Sequence, residues 1–209
     1  MHPEEVNQLP GKLVVFEGID GSGKSSIISM LPNLLSGCQV PIIVSGERRS
    51  PLAPFLSGEM LRTYSPFLKT YLFAADRAWA YDRECLPALR SGELVLWDRY
   101  VDSAIVYRSV EFRLHRSGLD LEFVRNLNSP FIRPSITFFI DISVEVSLLR
   151  TANAKRTEPY DAGFLRQVRL EYLALAAERG YIIISGERPI FSVAQEVTSV
   201  IKDRFKEIF

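Results

Sequence analysis

The chain has 209 residues, its 25 Lys plus Arg balance 25 Asp plus Glu, and 47% of its residues are hydrophobic against 24% charged. At roughly 150 residues per domain two large independent domains are excluded, and zero net charge gives no global attraction to a polyanion, which disfavours a dedicated nucleic-acid binder. Two cysteines, Cys38 and Cys85, and two histidines, His2 and His115, are too few for a Cys/His zinc site, and there is no uncharged apolar run of about 18 residues to span a membrane.

Residues 1–11 carry Glu4 and Glu5 and no apolar leader, so they read as a loose extension ahead of one domain over 12–209, with a cytoplasmic location and reduced thiols expected. Apolar, largely β-branched runs then recur at 13–17, 40–44, 94–97, 136–140 and 181–184, each followed by helical periodicity. Near-continuous apolar strands alternating with helices predict an α/β, three-layer fold: a five-stranded parallel sheet buried on both faces. The segment 65–89 has no internal glycine and predicts one long helix with Pro66 in its first turn, stopped at Gly92. Late in the chain, helical segments at 144–150 and 164–177 frame a polar stretch, 151–163, that holds Lys155, Arg156, Glu158 and Pro159 and predicts a short lid.

Between the first strand and the first helix stands Gly18-Ile19-Asp20-Gly21-Ser22-Gly23-Lys24-Ser25, which fits G-x-x-x-x-G-K-[ST] in the context that this P-loop pattern requires. Glycines let successive backbone N–H groups turn inward around phosphate oxygens, and the helix that follows adds its positive end. Gly18, Asp20, Gly21, Ser22, Gly23, Lys24, Ser25 and Ser26 are therefore the expected ATP cradle, with Lys24 on the outer phosphates and Ser25 on Mg²⁺. A guanine-reading N-K-x-D segment is absent, which argues against a GTPase. The third strand ends Trp97-Asp98-Arg99-Tyr100 rather than Asp-Glu, and an arginine there suits a second anionic substrate better than a water-activating base.

Taken with Phe73-Ala74-Ala75-Asp76-Arg77, Asp98-Arg99-Tyr100-Val101-Asp102-Ser103 and the stretch from Arg133 to Asp141, the sequence resembles the thymidylate kinase family from Lys12 to about Ile183. The resemblance implies a P-loop kinase that transfers the ATP γ-phosphate to dTMP with Mg²⁺ and commonly forms a homodimer. It places Arg99 and Arg48 on the acceptor phosphate, Asp98 near the metal, and Asp20 on the acceptor sugar. Phe73 would stack on the base, Arg77 would meet a ring carbonyl, and Ser103 and Tyr107 would surround the nucleoside. Arg156 is the expected catalytic lid arginine, with Arg150 and Lys155 behind it, and Lys24, Asp98 and Arg99 complete the catalytic set. Chemistry makes such residues reasonable, since phosphoryl transfer between two polyanions is mostly positioning and charge neutralisation.

Arg108 stands where that family usually has glutamine and is expected on the solvent side, and Trp79 is expected near the base pocket. Two other readings stay open on the sequence. One is a kinase for another (deoxy)nucleoside monophosphate or for a deoxynucleoside, and the other is a nucleotide-binding protein without turnover.

Overall fold

Every residue of β1 (Lys12–Glu17) after Lys12 is buried, which a strand achieves only when both faces of its sheet are covered. In the computed structural model, which describes residues 9–115, 120–154 and 160–209, β1 is the middle strand of a five-stranded sheet. With β2 (Ile42–Gly46), β3 (Leu94–Asp98), β4 (Ile136–Asp141) and β5 (Ile182–Ser185), the order is β2-β3-β1-β4-β5 and all four pairings are parallel.

Alternation along β1 divides its side chains between two cores. Val14 and Phe16 join Phe138 and Leu96 against α1 (Lys24–Leu34) and α9 (Ile190–Arg204), through Ile27, Leu31, Val193 and Val197. Leu13 and Val15 face the other way, with Trp97 and Tyr100, against α3 (Pro66–Ala80) and α4 (Leu86–Arg90). Beside them α5 (Val101–His115) and α8 (Ala162–Arg179) close a third cluster around Phe139, Val168 and Tyr172. The remaining helices are α2 (Gly58–Thr63), α6 (Leu121–Asn128) and α7 (Val144–Asn153). Among the described residues no helix is long and apolar enough to cross a membrane.

Register brings the carboxyl ends of three strands together, because Phe16 and Gly46 both pair with Asp98. That is where open α/β sheets place ligands. Gly46 permits the approach: its φ is +159°, and a Cβ there would stand 2.6 Å from the Asp98 carbonyl oxygen.

Several boundaries differ from the sequence expectation. β2 begins at Ile42 rather than at residue 40, and β5 at Ile182 rather than 181. The segment 65–89 is not one regular helix: α3 passes into a π turn over Tyr81–Cys85 before α4. Pro87 explains the widening, since it has no N–H and its ring would clash with the carbonyl four residues back; the Leu86 N–H instead reaches the Tyr81 carbonyl, five residues back. Nor is the chain loose up to residue 11. Leu9 packs on the second core, and the buried Gly11 donates its N–H to the Leu89 carbonyl at 2.9 Å.

Gly46→Ala is expected to cost about 1–3 kcal/mol, through overpacking against the β3 backbone, as read by urea denaturation. An unchanged midpoint would mean that the β2–β3 approach is not as tight as described.

Candidate active site

The first turn of α1 is left open by its own sequence. Gly23, in the left-handed region with φ +95°, occupies the N-cap and supplies no side-chain bond to the helix. The unclaimed N–H groups and the helix dipole make an anion site. Within the loop, Lys24 is buried and its Nζ donates to the Gly18 carbonyl at 2.9 Å, the Ile19 carbonyl at 3.0 Å and Ser22 Oγ at 3.1 Å. Burial, reinforced by the Arg99 charge, pulls the Lys24 ammonium down to about 8. A polyphosphate entering this loop would offer it a stronger partner than three neutral oxygens.

The underside of the loop is fastened by α7. Ser147 Oγ donates to the Asp20 carbonyl at 2.6 Å, and Arg150 donates to the Gly21 carbonyl at 3.3 Å and the Gly186 carbonyl at 2.9 Å. Arg150 therefore ties the loop to the turn after β5. Ser26 is exposed beside Ser25 on the first turn, and its carbonyl accepts from Ser29.

On the mouth of the loop Ser25 Oγ donates to Asp98 Oδ2 at 2.5 Å. Asp98 Oδ1 is buried and has no hydrogen-bond partner among the described residues. A hydroxyl and a carboxylate with spare oxygen capacity are the donor set that Mg²⁺ prefers, one or two protein oxygens with the rest from phosphate and water. Among the described residues no cluster of three or more His, Cys, Asp or Glu offers a metal cage.

The next residue turns the other way. Arg99 has φ +61°, held by its N–H to the Phe16 carbonyl at 3.0 Å and by Trp97 Nε1 donating to its carbonyl at 2.7 Å. Its Nη2 donates to Asp20 Oδ1 at 2.6 Å and its guanidinium lies 5.5 Å from the Tyr107 ring centre. Burial alone would raise the Asp20 carboxyl, but Arg99, Lys24 and Arg48 outweigh it and hold the group below its ordinary range. Arg99 opens onto a cleft that Asp20, Glu47, Arg48, Leu61, Lys69, Thr70, Phe73, Ser103, Ala104, Tyr107, Arg108 and Tyr160 also line. Four cations against two carboxylates on these walls suit a dianion such as a monophosphate.

Arg48, Phe73, Arg99, Ser103, Tyr107 and Asp20 thus converge on one cleft next to the phosphate loop, where Lys24 and Ser25 open α1 and Asp98 ends β3. Arg77 does not line it. Its side chain is fully buried, donates to Asn128 Oδ1 at 2.6 Å and stands 3.6 Å from Glu47. The i, i+4 spacing from Phe73 does give one helix face, but the loop after β2 lays Glu47 between that guanidinium and the cleft. Arg108 is not on the solvent side either: it is 3% exposed and lines the cleft. Trp79 packs beside the second core with Arg83 over its ring, away from the cleft. Lid residues Lys155 and Arg156 lie outside the described residues, and α7 runs to Asn153 while α8 starts at Ala162, so both helices reach into the expected lid.

Sequence reasoning missed three supports. Asp76, fully buried, accepts from the backbone N–H of Arg48 at 2.6 Å and of Ser50 at 3.0 Å, and so sets the loop whose Arg48 has φ +63°. Its signal was a carboxylate three residues after Phe73 among alanines. Lys69, four residues before Phe73, shares its face by the same spacing. Glu47 sits among arginines, which hid it as part of a surface charge cluster; burial pushes its carboxyl up to about 7, against the pull of Arg99, Arg77 and Arg48. Arg49 points outward, bonded to the Val44 carbonyl and near Glu84.

The family model described as thymidylate kinase matches residues 16–197. The chain is similar to a probable thymidylate kinase of Pyrobaculum calidifontis, 35% identical over 192 residues that cover 90% of this chain and 95% of that protein. A probable thymidylate kinase of Pyrobaculum aerophilum is 36% identical over 200 residues, 92% and 98% of the two chains. A thymidylate kinase of Pelotomaculum thermopropionicum is 35% identical over 198 residues, 86% and 88% of the two chains.

Glu47 makes a pH prediction. Its carboxyl moves from an ordinary 4.5 to about 7 on folding, so between those values the folded chain holds more protons and stability falls as pH rises. Glu47→Gln should therefore match the parent near pH 4 and exceed it above pH 7 by on the order of 3 kcal/mol. Urea denaturation at the two pH values reads this, and a difference independent of pH would contradict it.

Proposed function

The chain belongs to the thymidylate kinase family, and from that membership we infer that it transfers the γ-phosphoryl group of ATP to dTMP, giving ADP and dTDP. The observation that carries the reading is the division of labour between two consecutive residues. Asp98 bonds to Ser25 on the triphosphate side, while Arg99 bonds to Asp20 and opens onto the acceptor cleft.

An acceptor phosphate clamped by Arg99 and Arg48 presents an oxygen to the γ-phosphorus. That oxygen forms the new P–O bond as the bond from γ-phosphorus to the β–γ bridging oxygen breaks, and the electron pair leaves with ADP. The attacking monophosphate is already anionic, so the site needs no general base. The chain's task is to bring two polyanions together and spread the charge. Lys24 exchanges its carbonyl partners for donor phosphate oxygens, and the N–H groups at the start of α1 take others. Mg²⁺, when bound, would be held by Ser25 and Asp98 and would neutralise donor phosphate charge. Asp20 keeps Arg99 aimed at the acceptor, and Phe73 offers a face for the base. Ser103 and Tyr107 wall the nucleoside, Arg77 acts by steadying Glu47, and Arg156 supplies lid charge at the transferring group.

We further propose a homodimer acting in the cytoplasm on small nucleotides rather than on nucleic acid. The ring cluster of Phe67 and Tyr71 on α3 with Phe123 on α6 supports self-association, since Phe67 and Tyr71 are about half exposed.

Arg99→Ala should lower kcat/KM for dTMP on the order of 100- to 1,000-fold and leave ATP affinity unchanged, measured by ADP release with a no-acceptor control and by ATP titration. Equal loss of ATP affinity would remove Arg99 from the acceptor role. No ADP release from the parent protein above the control would overturn the reading itself.

A further inference from the structure

The acceptor cleft carries a carboxylate that works against an anionic ligand. Glu47 follows β2, its side chain is 12% exposed, and it lines the cleft beside Arg48. Its backbone N–H donates to the Asp98 carbonyl at 3.1 Å, which seats it where the donor and acceptor sides adjoin. Arg48 from the same loop, Arg77 from α3 and Arg99 after β3 act on this carboxylate, and Glu17 adds a like charge. Its ion-pair partner, Arg77 Nη2, stands 3.6 Å away and is without a hydrogen-bond partner among the described residues. Asp20, the other carboxylate of the cleft wall, is by contrast bonded to Arg99 at 2.6 Å.

Such a charge has a cost in binding. At the effective dielectric of a partly buried site, a like charge about 10 Å from a phosphate weakens its binding roughly tenfold. Walls built only to hold phosphate would place a neutral side chain here. The reaction supplies a reason for the charge. Transfer adds a phosphoryl group to the acceptor, so the product brings more negative charge into the cleft than the substrate did. Cations alone would therefore hold the product more tightly than the substrate, and tight binding of a ground state adds nothing to turnover. An anion fixed among the arginines opposes that gradient.

We infer that Glu47 limits how tightly the acceptor cleft holds phosphate, so that dTDP, the more highly charged product, can leave. The inference rests on the reading of the cleft as the acceptor site, and binding alone tests it.

The test is calorimetric titration of the full-length protein with dTMP, dTDP and thymidine, which lacks the phosphate, at pH 8, where Glu47 and the nucleotide phosphates are ionised. In Glu47→Gln, dTMP should bind roughly 10-fold more tightly and dTDP at least as much more tightly, with thymidine unchanged. Release of dTDP, followed by rapid-mixing chase with excess dTMP, should slow in proportion. Glu47→Asp keeps the charge and should stay near the parent. Glu84→Gln removes a carboxylate that accepts from Ser45 and does not line the cleft, and it should alter none of the three affinities. If Glu47 serves only to seat Arg77, Glu47→Gln will bind dTMP equally or more weakly, which overturns the inference. So would tightening that extends to thymidine, or that Glu47→Asp or Glu84→Gln reproduces. A parent that binds none of the three ligands sinks the cleft reading and the inference together. Tightening confined to the phosphorylated ligands, in a parent that releases no ADP, would uphold the inference and sink the kinase reading.

Discussion

A single buried carboxylate holds the two halves of this site at a fixed separation. Glu17 ends β1 immediately before the phosphate loop. It accepts from the N–H groups of Tyr100 and Ser103 at 2.9 and 3.3 Å, from Ser103 Oγ at 2.5 Å and from the Tyr172 hydroxyl at 2.9 Å. Through it the strand that begins the triphosphate loop is fastened to the start of α5, which presents Ser103, Tyr107 and Arg108, and to α8. Burial, with the Asp102 charge behind it, pushes the Glu17 carboxyl up. Each donor abandoned in this interior would cost about 1–3 kcal/mol, so the arrangement is satisfied as a whole or not at all. Catalysis by positioning depends on that rigidity more than on any one contact.

Around this anchor the site accepts strain where it needs direction. Arg48 and Arg99 both lie in the left-handed region, at φ +63° and +61°, a conformation that side chains other than glycine seldom adopt. Each is held by a partner of its own: Asp76 grips the backbone of the Arg48 loop, and the Phe16 carbonyl and Trp97 ring nitrogen grip Arg99. The strain turns two guanidinium groups towards one cleft from the ends of adjacent strands. Asp20 balances the Arg99 charge.

What was legible in the sequence was local. The glycine spacing of the phosphate loop encodes a backbone path over a few residues, and the buried strands announce themselves by continuous apolar character, so the sheet and the cradle followed directly. The boundary errors came where one residue overrode a pattern, as Pro87 did in widening α4's approach into a π turn. The acceptor wall was less legible because it joins residues from six stretches of the chain. Spacing put Phe73 and Arg77 on one face of α3, yet only the path of the loop after β2 decides that Glu47 screens Arg77. Arg108 read as a surface charge because nothing local announces Glu111 and Lys69 as its buried company. Asp76 and Glu47 act on backbone and on arginines brought close by folding, and no short motif records that.

On the proposed reaction, phosphoryl group and acceptor meet where Asp98 and Arg99 part. The measurement that addresses it most directly is the fate of label from γ-labelled ATP incubated with the protein, Mg²⁺ and dTMP, with the products separated and the label located. Label is expected in the β-phosphate of dTDP, with dTDP formed in step with ADP. Label recovered only as inorganic phosphate, at a rate indifferent to dTMP, would contradict it.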